Sequence, residues 1–441
     1  MQAAKLGHSV LVVEKDKRVG GVCVHTGTIP SKTLRETVLN LTGFRERGFY
    51  GTGYRARNDI AAADLTERLG KTLGFEVDVL EHQFNRNRVT VLQGAARFVT
   101  AHDIEVLMAA GEIRRVRAEK VLIAVGTVTR RPEGVPFDGR IVLDSDEIIS
   151  IDHLPRSLTV VGAGVIGVEY ATIFSALDVK VTLVEGRLSF LDFIDREIIE
   201  ELVHELRDRG VALRLGSKVD TVAIEDGQAV VRLDGGRVVR SEMLLYAAGR
   251  TVAAEGLGLE SLGIEPDARG RIVVDPATMQ TLVPNIYAAG DAIGFPSLAS
   301  TSLEQGRMAA CHAFGQKLPP APAFFPYGIY AVPEISTVGM TEEQVREKRI
   351  PYECGIARMR ETSRGHIMGL RGGMMKMIFA TTDRRLLGVH IIGEGATELV
   401  HIGQAVLNLN GSIDYFIENT FNYPTLAEAY KIAALDAFNR M

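Results

Sequence analysis

The segment at residues 20–32 reads Gly-Gly-Val-Cys-Val-His-Thr-Gly-Thr-Ile-Pro-Ser-Lys, and the rest of the chain is organised around it. Its paired glycines allow the backbone to approach a ligand closely. Cys23 is its only cysteine, and Thr28 follows five residues later. A threonine cannot be oxidised to a disulfide or ionise to a thiolate, so dithiol chemistry is unavailable at this site.

This segment resembles the redox segment of the flavin disulfide reductases, the pyridine nucleotide-disulfide oxidoreductase family, whose pattern is G-G-T-C-x-x-x-x-C-x-P-x-K. In that family the glycines approach the flavin phosphates, and the two cysteines form a disulfide beside the isoalloxazine ring. The resemblance implies that Gly20, Gly21, Val22 and Cys23 contact FAD. Thr28 stands at the second, flavin-proximal cysteine position. The resemblance therefore implies a flavin site that has lost its usual dithiol chemistry.

Composition is that of an ordinary globular protein. The 441 residues are enough for about two to four domains, and a net charge of −5 gives no indication of nucleic acid or an anionic membrane as a partner. The three widely spaced cysteines suit a reducing compartment and offer neither a disulfide framework nor a zinc-ligand pair. No apolar run is long enough to span a bilayer, so we expect a cytoplasmic protein. Because the cysteines offer no zinc-ligand pair, we also expect that it uses no metal.

The chain begins with a strand that no glycine turn precedes. Residues 9–13 (Ser-Val-Leu-Val-Val) predict a buried parallel strand, closed by Glu14 and Lys15 as candidate cofactor residues. In a complete β-α-β unit further along, Gly162 lies 23 residues before the closing Glu185. The same spacing would put a first glycine before the chain starts. We therefore expect a chain truncated at an internal methionine that holds FAD poorly; the alternative is a divergent family with a different N-terminal element.

A second nucleotide-binding unit is predicted between residues 151 and 272. A strand, a G-x-G-x-x-G turn and a helix follow one another in the required order, which makes a weak motif a strong one. Glycines in such a turn allow a pyrophosphate to rest on the helix N-terminus. The candidate residues of this turn are Gly162, Gly164, Val165, Ile166 and Gly167.

The acid that closes this unit bears on nucleotide selectivity. Glu185 favours a free ribose 2′-hydroxyl and therefore NAD(H), whereas Arg187 could meet the 2′-phosphate of NADP(H). The alternative for Arg187 is a solvated turn residue, and the sequence leaves both open. One pocket for both nucleotides would account for a mixed pair at this place.

Further segments match flavin-binding motifs of the family. Asp291, at the end of Asn-Ile-Tyr-Ala-Ala-Gly-Asp, matches an aspartate that binds the flavin ribitol. Lys32 and Glu169 match a lysine–glutamate pair that stabilises charge changes near flavin N5, and these two are the predicted catalytic residues. Alone, either would be an ordinary helix-surface charge. The other cofactor-contact positions are Gly94, Ala95, Gly126, Gly249 and Gly290.

The C-terminal part alternates strands and helices, which predicts an α+β domain. In the family this domain forms the dimer interface and carries a histidine directly before a proline, with a glutamate five residues later, as the acid–base couple of thiol reduction. This chain has Tyr423 before Pro424, and Glu428 at the glutamate position. A tyrosine is a poor proton shuttle at neutral pH.

Both replacements remove thiol chemistry, whereas the flavin and nicotinamide determinants remain. Gly-Thr-Ile-Pro-Ser-Lys at residues 27–32 together with Phe-Asn-Tyr-Pro-Thr at 421–425 resembles the transhydrogenase branch of the family. The resemblance implies FAD-dependent hydride transfer between NADPH and NAD⁺, with NAD(H) and NADP(H) as substrates of a homodimer or higher oligomer. The alternatives are a diaphorase or NAD(P)H oxidase, a disulfide reductase that uses Cys23 alone, and a flavin-free dimerising or nucleotide-binding module.

The predicted architecture is an α/β fold with two Rossmann-like dinucleotide-binding domains and a C-terminal α+β dimerisation domain. Its parts are a truncated FAD-binding domain (1–150), an NAD(P)-binding domain (151–272), a return to the FAD or central domain (273–324) and the dimerisation domain (325–441).

Overall fold

The structure, a computed structural model, describes residues 1–317 and 323–441. The chain divides into two compact units. The first unit comprises Met1–Pro30, Leu69–Arg130 and Gly249–Ala321, and the second comprises Ser31–Arg68, Arg131–Ala248 and Pro322–Met441. The four-part division stays a prediction, and residues 318–322 of its third part lie outside the described residues.

Helices contribute to both units. No helix in the two described ranges is both long enough and apolar enough to cross a membrane. The α-helices are α1 (Gln2–Lys5), α2 (Gly21–His25), α3 (Thr28–Thr42), α4 (Arg47–Tyr50), α5 (Ala62–Arg86), α6 (Val165–Ala176), α7 (Arg196–Asp208), α8 (Ala299–Ala313), α9 (Glu342–Glu347), α10 (Ser363–Ile367), α11 (Ala396–Asn408), α12 (Ile413–Glu418) and α13 (Glu428–Phe438).

The strands are mostly short. They are β1 (Leu11–Glu14), β2 (Thr90–Gln93), β3 (Ala95–Phe98), β4 (Asp103–Leu107), β5 (Ile113–Arg117), β6 (Val121–Ile123), β7 (Thr127–Thr129), β8 (Val142–Asp144), β9 (Ser157–Val161), β10 (Lys180–Glu185), β11 (Ala212–Leu215), β12 (Val219–Glu225), β13 (Gln228–Leu233), β14 (Val238–Ser241), β15 (Met243–Tyr246), β16 (Arg250–Val252), β17 (Ile286–Ala288), β18 (Tyr327–Ile329), β19 (Ile335–Gly339), β20 (Tyr352–Arg358), β21 (Met374–Ala380) and β22 (Leu386–Ile392).

The first unit is built from small sheets around one apolar core. β1 pairs with β2 and β6 with β17, both in parallel, whereas β3, β4 and β5 form an antiparallel sheet and β7 pairs with β16. Leu92, Phe98, Ile123 and Ile286, from four different strands, share one buried cluster. This shared core ties the two parallel pairs to the antiparallel sheet.

The second unit contains a five-stranded parallel sheet in the order β11-β10-β9-β15-β8. β9 and β10 are rich in β-branched residues, which suit strands covered on both faces. α6 connects them and is buried from Gly167 to Ala176, because most of its residues are apolar. The predicted β-α-β unit is therefore confirmed.

The C-terminal part of the second unit is an antiparallel sheet in the order β18-β19-β22-β21-β20. β21 and β22 are buried throughout. α13 lies against β20 so closely that a Cβ on Gly355 would be 1.8 Å from the Ala433 carbonyl oxygen. Tyr430 of α13 stacks on Phe416 of α12, with ring centroids 5.3 Å apart. These strands and helices form one apolar core.

A buried ion cluster connects two segments of the second unit. The Lys376 ammonium in β21 contacts the carboxylates of Asp195, at the N-cap of α7, and of Glu197 and Glu342. Burial favours the neutral amine, but the carboxylates hold the pKa of Lys376 above its ordinary value. Burial likewise acts against ionised Glu342, yet hydrogen bonds from Lys376 and Tyr352 lower the pKa of Glu342 to about 2. Because every buried charge has a partner, the cluster holds α7 against the C-terminal sheet.

The first strand differs from the one that the sequence predicts. The strand predicted at residues 9–13 is observed at Leu11–Glu14, and the expectation that it is buried is wrong, since none of its four residues is buried. Further along, β2 and β3 are separated at Gly94, where a Cβ would lie 2.7 Å from the Leu107 carbonyl oxygen. The close approach of β4 therefore requires a glycine at the break.

Candidate flavin and nicotinamide nucleotide sites

The redox segment folds as two helices joined by a turn. α2 carries Val22 and the half-buried Cys23, and α3 begins at Thr28. Gly20 precedes α2 with φ of +124°, and a Cβ there would lie 2.8 Å from the Cβ of Val24. Both the conformation and the contact require glycine. No disulfide forms between cysteines in the described part of the chain.

Four predicted residues of the first unit lie at one end of the β1–β2 pair. Glu14 closes β1, and its backbone oxygen accepts a 2.8 Å hydrogen bond from the Gly94 N–H. Lys15 follows and is exposed, and Ala95 begins β3. The Glu14 side chain accepts one bond of 3.1 Å, from the Asp16 N–H. The carboxyl ends of the two strands therefore present this acid together with a glycine.

A second group of the first unit surrounds Asp291, which follows β17. Burial raises the pKa of the Asp291 carboxyl, while the charge of Arg250 and a hydrogen bond from Thr127 oppose that rise. The Arg250 Nε donates to the Thr127 hydroxyl at 2.9 Å, and its Nη2 donates to the Thr127 carbonyl oxygen at 3.0 Å. Arg250 and Thr127 were not among the predicted site residues. Each directly follows a predicted glycine, Gly249 or Gly126, and that position is the signal that points to them.

Three predicted glycines around Asp291 have left-handed backbone, with φ of +65° at Gly126, +119° at Gly249 and +76° at Gly290. None of the described atoms lies within 4 Å of a Cβ built on Gly126 or Gly249. The Gly290 N–H donates to the Gln305 side chain at 2.8 Å. This arrangement allows a ligand to approach the backbone closely beside a half-buried carboxylate, as a flavin nucleotide requires.

The glycine-rich turn of the second unit has the geometry of a dinucleotide site. A Cβ on Gly162 would lie 2.7 Å from a backbone carbonyl oxygen, and a Cβ on Gly167 would lie 1.9 Å from the Gly162 carbonyl oxygen. Gly164 caps α6 without a side-chain cap, and no described atom lies within 4 Å of its Cβ position. Val165 and Ile166 form the first turn of α6. The outer glycines are therefore required by packing, and the middle one leaves space for a pyrophosphate at the helix N-terminus.

Glu185 and Arg187 form an ion pair at the end of β10. The Arg187 Nε donates to Glu185 Oε1 at 3.1 Å, and its Nη1 donates to Asp192 at 3.3 Å. Burial favours a protonated Glu185, but hydrogen bonds from Arg187 and from the Ala163 N–H bring its pKa below the ordinary value. The same bond to Glu185 raises the pKa of Arg187. Arg187 is therefore not a solvated turn residue without partners, although about half of its side chain is exposed.

Lys32 and Glu169 meet across 137 residues of the chain. The Lys32 Nζ donates to both Glu169 carboxylate oxygens, at 2.9 and 2.8 Å, from one turn inside α3 to the middle of α6. The Glu169 side chain is 4% exposed and that of Lys32 is 26% exposed. Tyr330 completes the group, since its N–H donates to Glu169 at 2.9 Å and its ring lies 4.9 Å from the Lys32 ammonium. The structure thus pairs the two predicted residues and adds Tyr330, to which no sequence motif points.

Tyr423 and Glu428 serve local structure at the start of α13. The Tyr423 side chain is exposed, and its hydroxyl lies 2.6 Å from the Ser363 hydroxyl. Glu428 accepts hydrogen bonds from the N–H groups of Thr425 and Ser363. Within the described ranges, no group of three or more His, Cys, Asp or Glu side chains is arranged to hold a metal ion.

The sequence matches one protein family over most of its length. Residues 1–306 match the family described as pyridine nucleotide-disulphide oxidoreductase, and residues 325–434 match the dimerisation domain of that family. The chain is 50% identical over 440 residues to a protein of Mycobacterium tuberculosis (strain ATCC 25177 / H37Ra), covering 100% of this chain and 94% of that protein. It is 38% identical over 445 residues to a protein of Shigella flexneri, covering 100% and 95%. Both relatives are named soluble pyridine nucleotide transhydrogenase.

Solved structures share the fold. LpdA from Mycobacterium tuberculosis matches with a TM-score of 0.90 at 25% identity, covering 98% of this chain and 96% of that one. The HOCl-induced flavoprotein disulfide reductase RclA from Escherichia coli matches with a TM-score of 0.87 at 26% identity, covering 98% and 95%. The predicted α/β architecture, with two Rossmann-like domains and a C-terminal domain, is confirmed. This chain belongs to the pyridine nucleotide-disulphide oxidoreductase family.

Proposed function

We propose that this chain transfers hydride between NADPH and NAD⁺, with a bound flavin as the carrier. Its relatives at 38–50% identity are named soluble pyridine nucleotide transhydrogenase. One observation in the chain itself carries the proposal: Thr28 begins α3 where a dithiol enzyme of this family has its second cysteine, while the glycine turn before Cys23 is kept. Such a site can hold a flavin, but it cannot store electrons in a disulfide.

The nicotinamide nucleotides would bind to the second unit. The α6 N-terminus and the open side of Gly164 receive the pyrophosphate, because uncapped N–H groups and the helix dipole favour an anion there. The Glu185 carboxylate accepts a hydrogen bond from a ribose hydroxyl of NAD(H), and the Arg187 guanidinium pairs with the 2′-phosphate of NADP(H). Both nucleotides therefore use one pocket in turn, which an exchange of hydride between them requires.

The flavin nucleotide would be FAD, contacted by residues of the first unit, and the expectation that this chain holds FAD poorly stays a prediction. Asp291 accepts hydrogen bonds from hydroxyls of the ribitol, and Glu14 accepts hydrogen bonds from hydroxyls of the adenosine ribose. Gly20, Gly126 and Gly249 allow the backbone to approach the ligand, since each has positive φ. When bound, a flavin supplies the ability to accept a hydride and to return it.

Lys32 and Glu169 would supply fixed electrostatics to that exchange. Two bonds, of 2.8 and 2.9 Å, hold the Lys32 ammonium in place. A positive charge that is already oriented stabilises negative charge developing nearby without reorganisation. Glu169 orients the lysine and Tyr330 orients Glu169. Neither Cys23 nor Tyr423 has a part in this scheme, because hydride exchange needs no thiol and no proton shuttle at the dimer interface.

The proposed enzyme is a cytoplasmic homodimer. The match of residues 325–434 to the family's dimerisation domain supports the assembly, and the word soluble in the name of its relatives supports the location.

A comparison of electron acceptors tests the proposal. The protein reduced with one equivalent of NADPH is mixed in a stopped-flow instrument with NAD⁺, a low-molecular-weight disulfide, a quinone or oxygen. We expect NAD⁺ to reoxidise it fastest and the disulfide to have no effect, with Cys23→Ser behaving as the wild type. Faster reoxidation by quinone or oxygen would favour a diaphorase or oxidase. Reoxidation by disulfide would overturn the proposal.

A further inference from the structure

The cluster at the end of β10 has too little positive charge to hold a 2′-phosphate by itself. This selectivity cluster consists of Glu185, Arg187 and Asp192, and the single guanidinium contacts both carboxylates. It carries one positive and two negative charges. A phosphate monoester adds about −1.5 to −2 at pH 7. Arg187 would have to receive this anion while two carboxylates remain beside it, so a second cation is needed.

The backbone brings a second segment against the selectivity cluster. The Gly216 N–H donates to the Arg187 carbonyl oxygen at 2.8 Å, and the Ser217 N–H donates to the Glu185 carbonyl oxygen at 3.0 Å. Lys218 comes next. A Cβ built on Gly186 would lie 3.3 Å from the Cγ of Lys218, so the lysine stem lies over the glycine between the two selectivity residues.

Lys218 has a fixed backbone and an available charge. Its N–H donates to Asp234 Oδ1 at 2.9 Å, and its carbonyl oxygen accepts the Asp234 N–H at 2.9 Å. The residue is exposed, and the hydrogen bonds described for it involve only its backbone. The other exposed cation of this region, Arg187, is already engaged by two carboxylates.

We propose that Lys218 is the second cation for the 2′-phosphate of NADP(H), acting together with Arg187. With Lys218, and with Asp234 that binds its backbone, the region holds two positive and three negative side chains, so Lys218 lowers the net negative charge that the arriving phosphate meets. When NAD(H) binds, the Lys218 ammonium stays in water, and Glu185 accepts hydrogen bonds from the ribose hydroxyls. This inference rests on the proposed function and explains how one pocket serves both nucleotides. Gly186 is part of this phosphate site, since a larger residue at this position would displace the Lys218 stem.

The test measures binding of NADP⁺, NAD⁺, 2′,5′-ADP and 5′-AMP to the full chain by calorimetry. We expect Lys218→Gln to weaken NADP⁺ and 2′,5′-ADP about five- to tenfold, while NAD⁺ and 5′-AMP stay within about twofold, where tenfold corresponds to 1.4 kcal/mol. Lys218→Arg should retain most of the affinity. The matched control is Lys180→Gln, which removes the same charge from the opposite, N-terminal end of β10; its affinities should match those of the wild type.

A salt titration gives a second readout that a merely structural role would not move. Between 50 and 200 mM salt the wild type should lose NADP⁺ affinity more steeply than Lys218→Gln, because the variant has lost one charge contact. An unchanged ratio of NADP⁺ to NAD⁺ affinity in Lys218→Gln would overturn the inference and leave the proposed function intact. A wild-type chain that binds neither nucleotide would overturn both.

Discussion

The ion pair between Lys32 and Glu169 leads to an asymmetric prediction. Replacing Lys32 by Met removes the cation from a carboxylate whose side chain is 4% exposed, and among the described residues it leaves the hydrogen bond from the Tyr330 N–H. Replacing Glu169 by Gln keeps an oxygen for the Tyr330 N–H, and it leaves a lysine that is 26% exposed and can reach water. We therefore expect Lys32→Met to be the more destabilising change.

Magnitudes follow from burial. Removing one partner of a buried pair costs about 3–5 kcal/mol, because the remaining charge is uncompensated. Lys32→Met should therefore lower the free energy of unfolding by about 3 kcal/mol, and Glu169→Gln by about 1 kcal/mol. The double variant should be more stable than the sum of the two losses predicts by at least about 1 kcal/mol, since the residues are in direct contact.

Urea titrations followed by far-ultraviolet circular dichroism measure these free energies, because the chain contains no tryptophan to report by fluorescence. The matched control is Arg196→Met, which breaks an exposed i,i+4 pair with Glu200 whose side chains are 79% and 62% exposed. An exposed pair of this kind is worth about 0–1 kcal/mol. Flavin reduction by NADPH, measured below every unfolding midpoint, should be more than about tenfold slower in Lys32→Met.

Two results would refute the reasoning on stability, and a third would refute the catalytic role. A loss of stability in Lys32→Met no larger than that in Arg196→Met would show that the carboxylate is not desolvated. Equal losses in Lys32→Met and Glu169→Gln would show that the difference in burial does not decide the energy. Unchanged flavin reduction in Lys32→Met would separate the pair from the chemistry and leave it a structural contact.

The remaining predictions concern single sites. Cys23→Ser should keep NADPH-to-NAD⁺ turnover within about tenfold, or 1.4 kcal/mol of barrier; loss of turnover with flavin still bound would contradict this. Tyr423→Phe should keep most activity without a new pH dependence between about 6 and 9, and collapse of turnover in an intact dimer would contradict it. Glu185→Ala should lower the KM for NADP(H) relative to that for NAD(H), and Arg187→Ala should raise it; an unchanged ratio of the two KM values would show that other residues set the selectivity. Glu342, with a folded-state pKa of about 2 against an ordinary 4.5, should contribute stability above about pH 4.5 that is lost as pH falls toward 2, and Glu342→Gln should flatten unfolding free energies across that window.

Local patterns were sufficient for the nucleotide-binding unit of the second half. The β9-α6-β10 order, the three glycines and the closing Glu185 all lie within about 30 residues, the usual size of a β-α-β unit. Their geometry depends on near neighbours, as the approach of Gly167 to the Gly162 carbonyl oxygen shows. Helix starts were less certain, because α3 already begins at Thr28, before the proline at position 30. Because proline is compatible with the first turn of a helix, Pro30 does not show from the sequence whether α3 begins before or after it.

Side-chain partners between distant segments could not be predicted in the same way. The sequence indicated Lys32 and Glu169 only by resemblance, and it gave no reason to add Tyr330, which reaches Glu169 from 161 residues away. Arg250 and Thr127 meet because β16 pairs with β7, a register that neither strand specifies alone. Lys376 reads as one residue of an apolar strand, and only its neighbours across the fold explain why a charge is buried there.

By itself the sequence determined the redox chemistry that this protein lacks and the kind of nucleotide turn that it has. Those properties reside in residue identity and short spacing: a threonine has no thiol, and glycine adopts a positive φ more readily than any other residue. Only the tertiary structure decided which charges meet, because that depends on strand pairing and helix packing between segments that are separate in the chain. It brought the Lys218 stem over Gly186 beside Arg187, and it placed Lys32 on Glu169. The Lys32–Glu169 pair lies at low solvent exposure, where Coulomb interactions are strong.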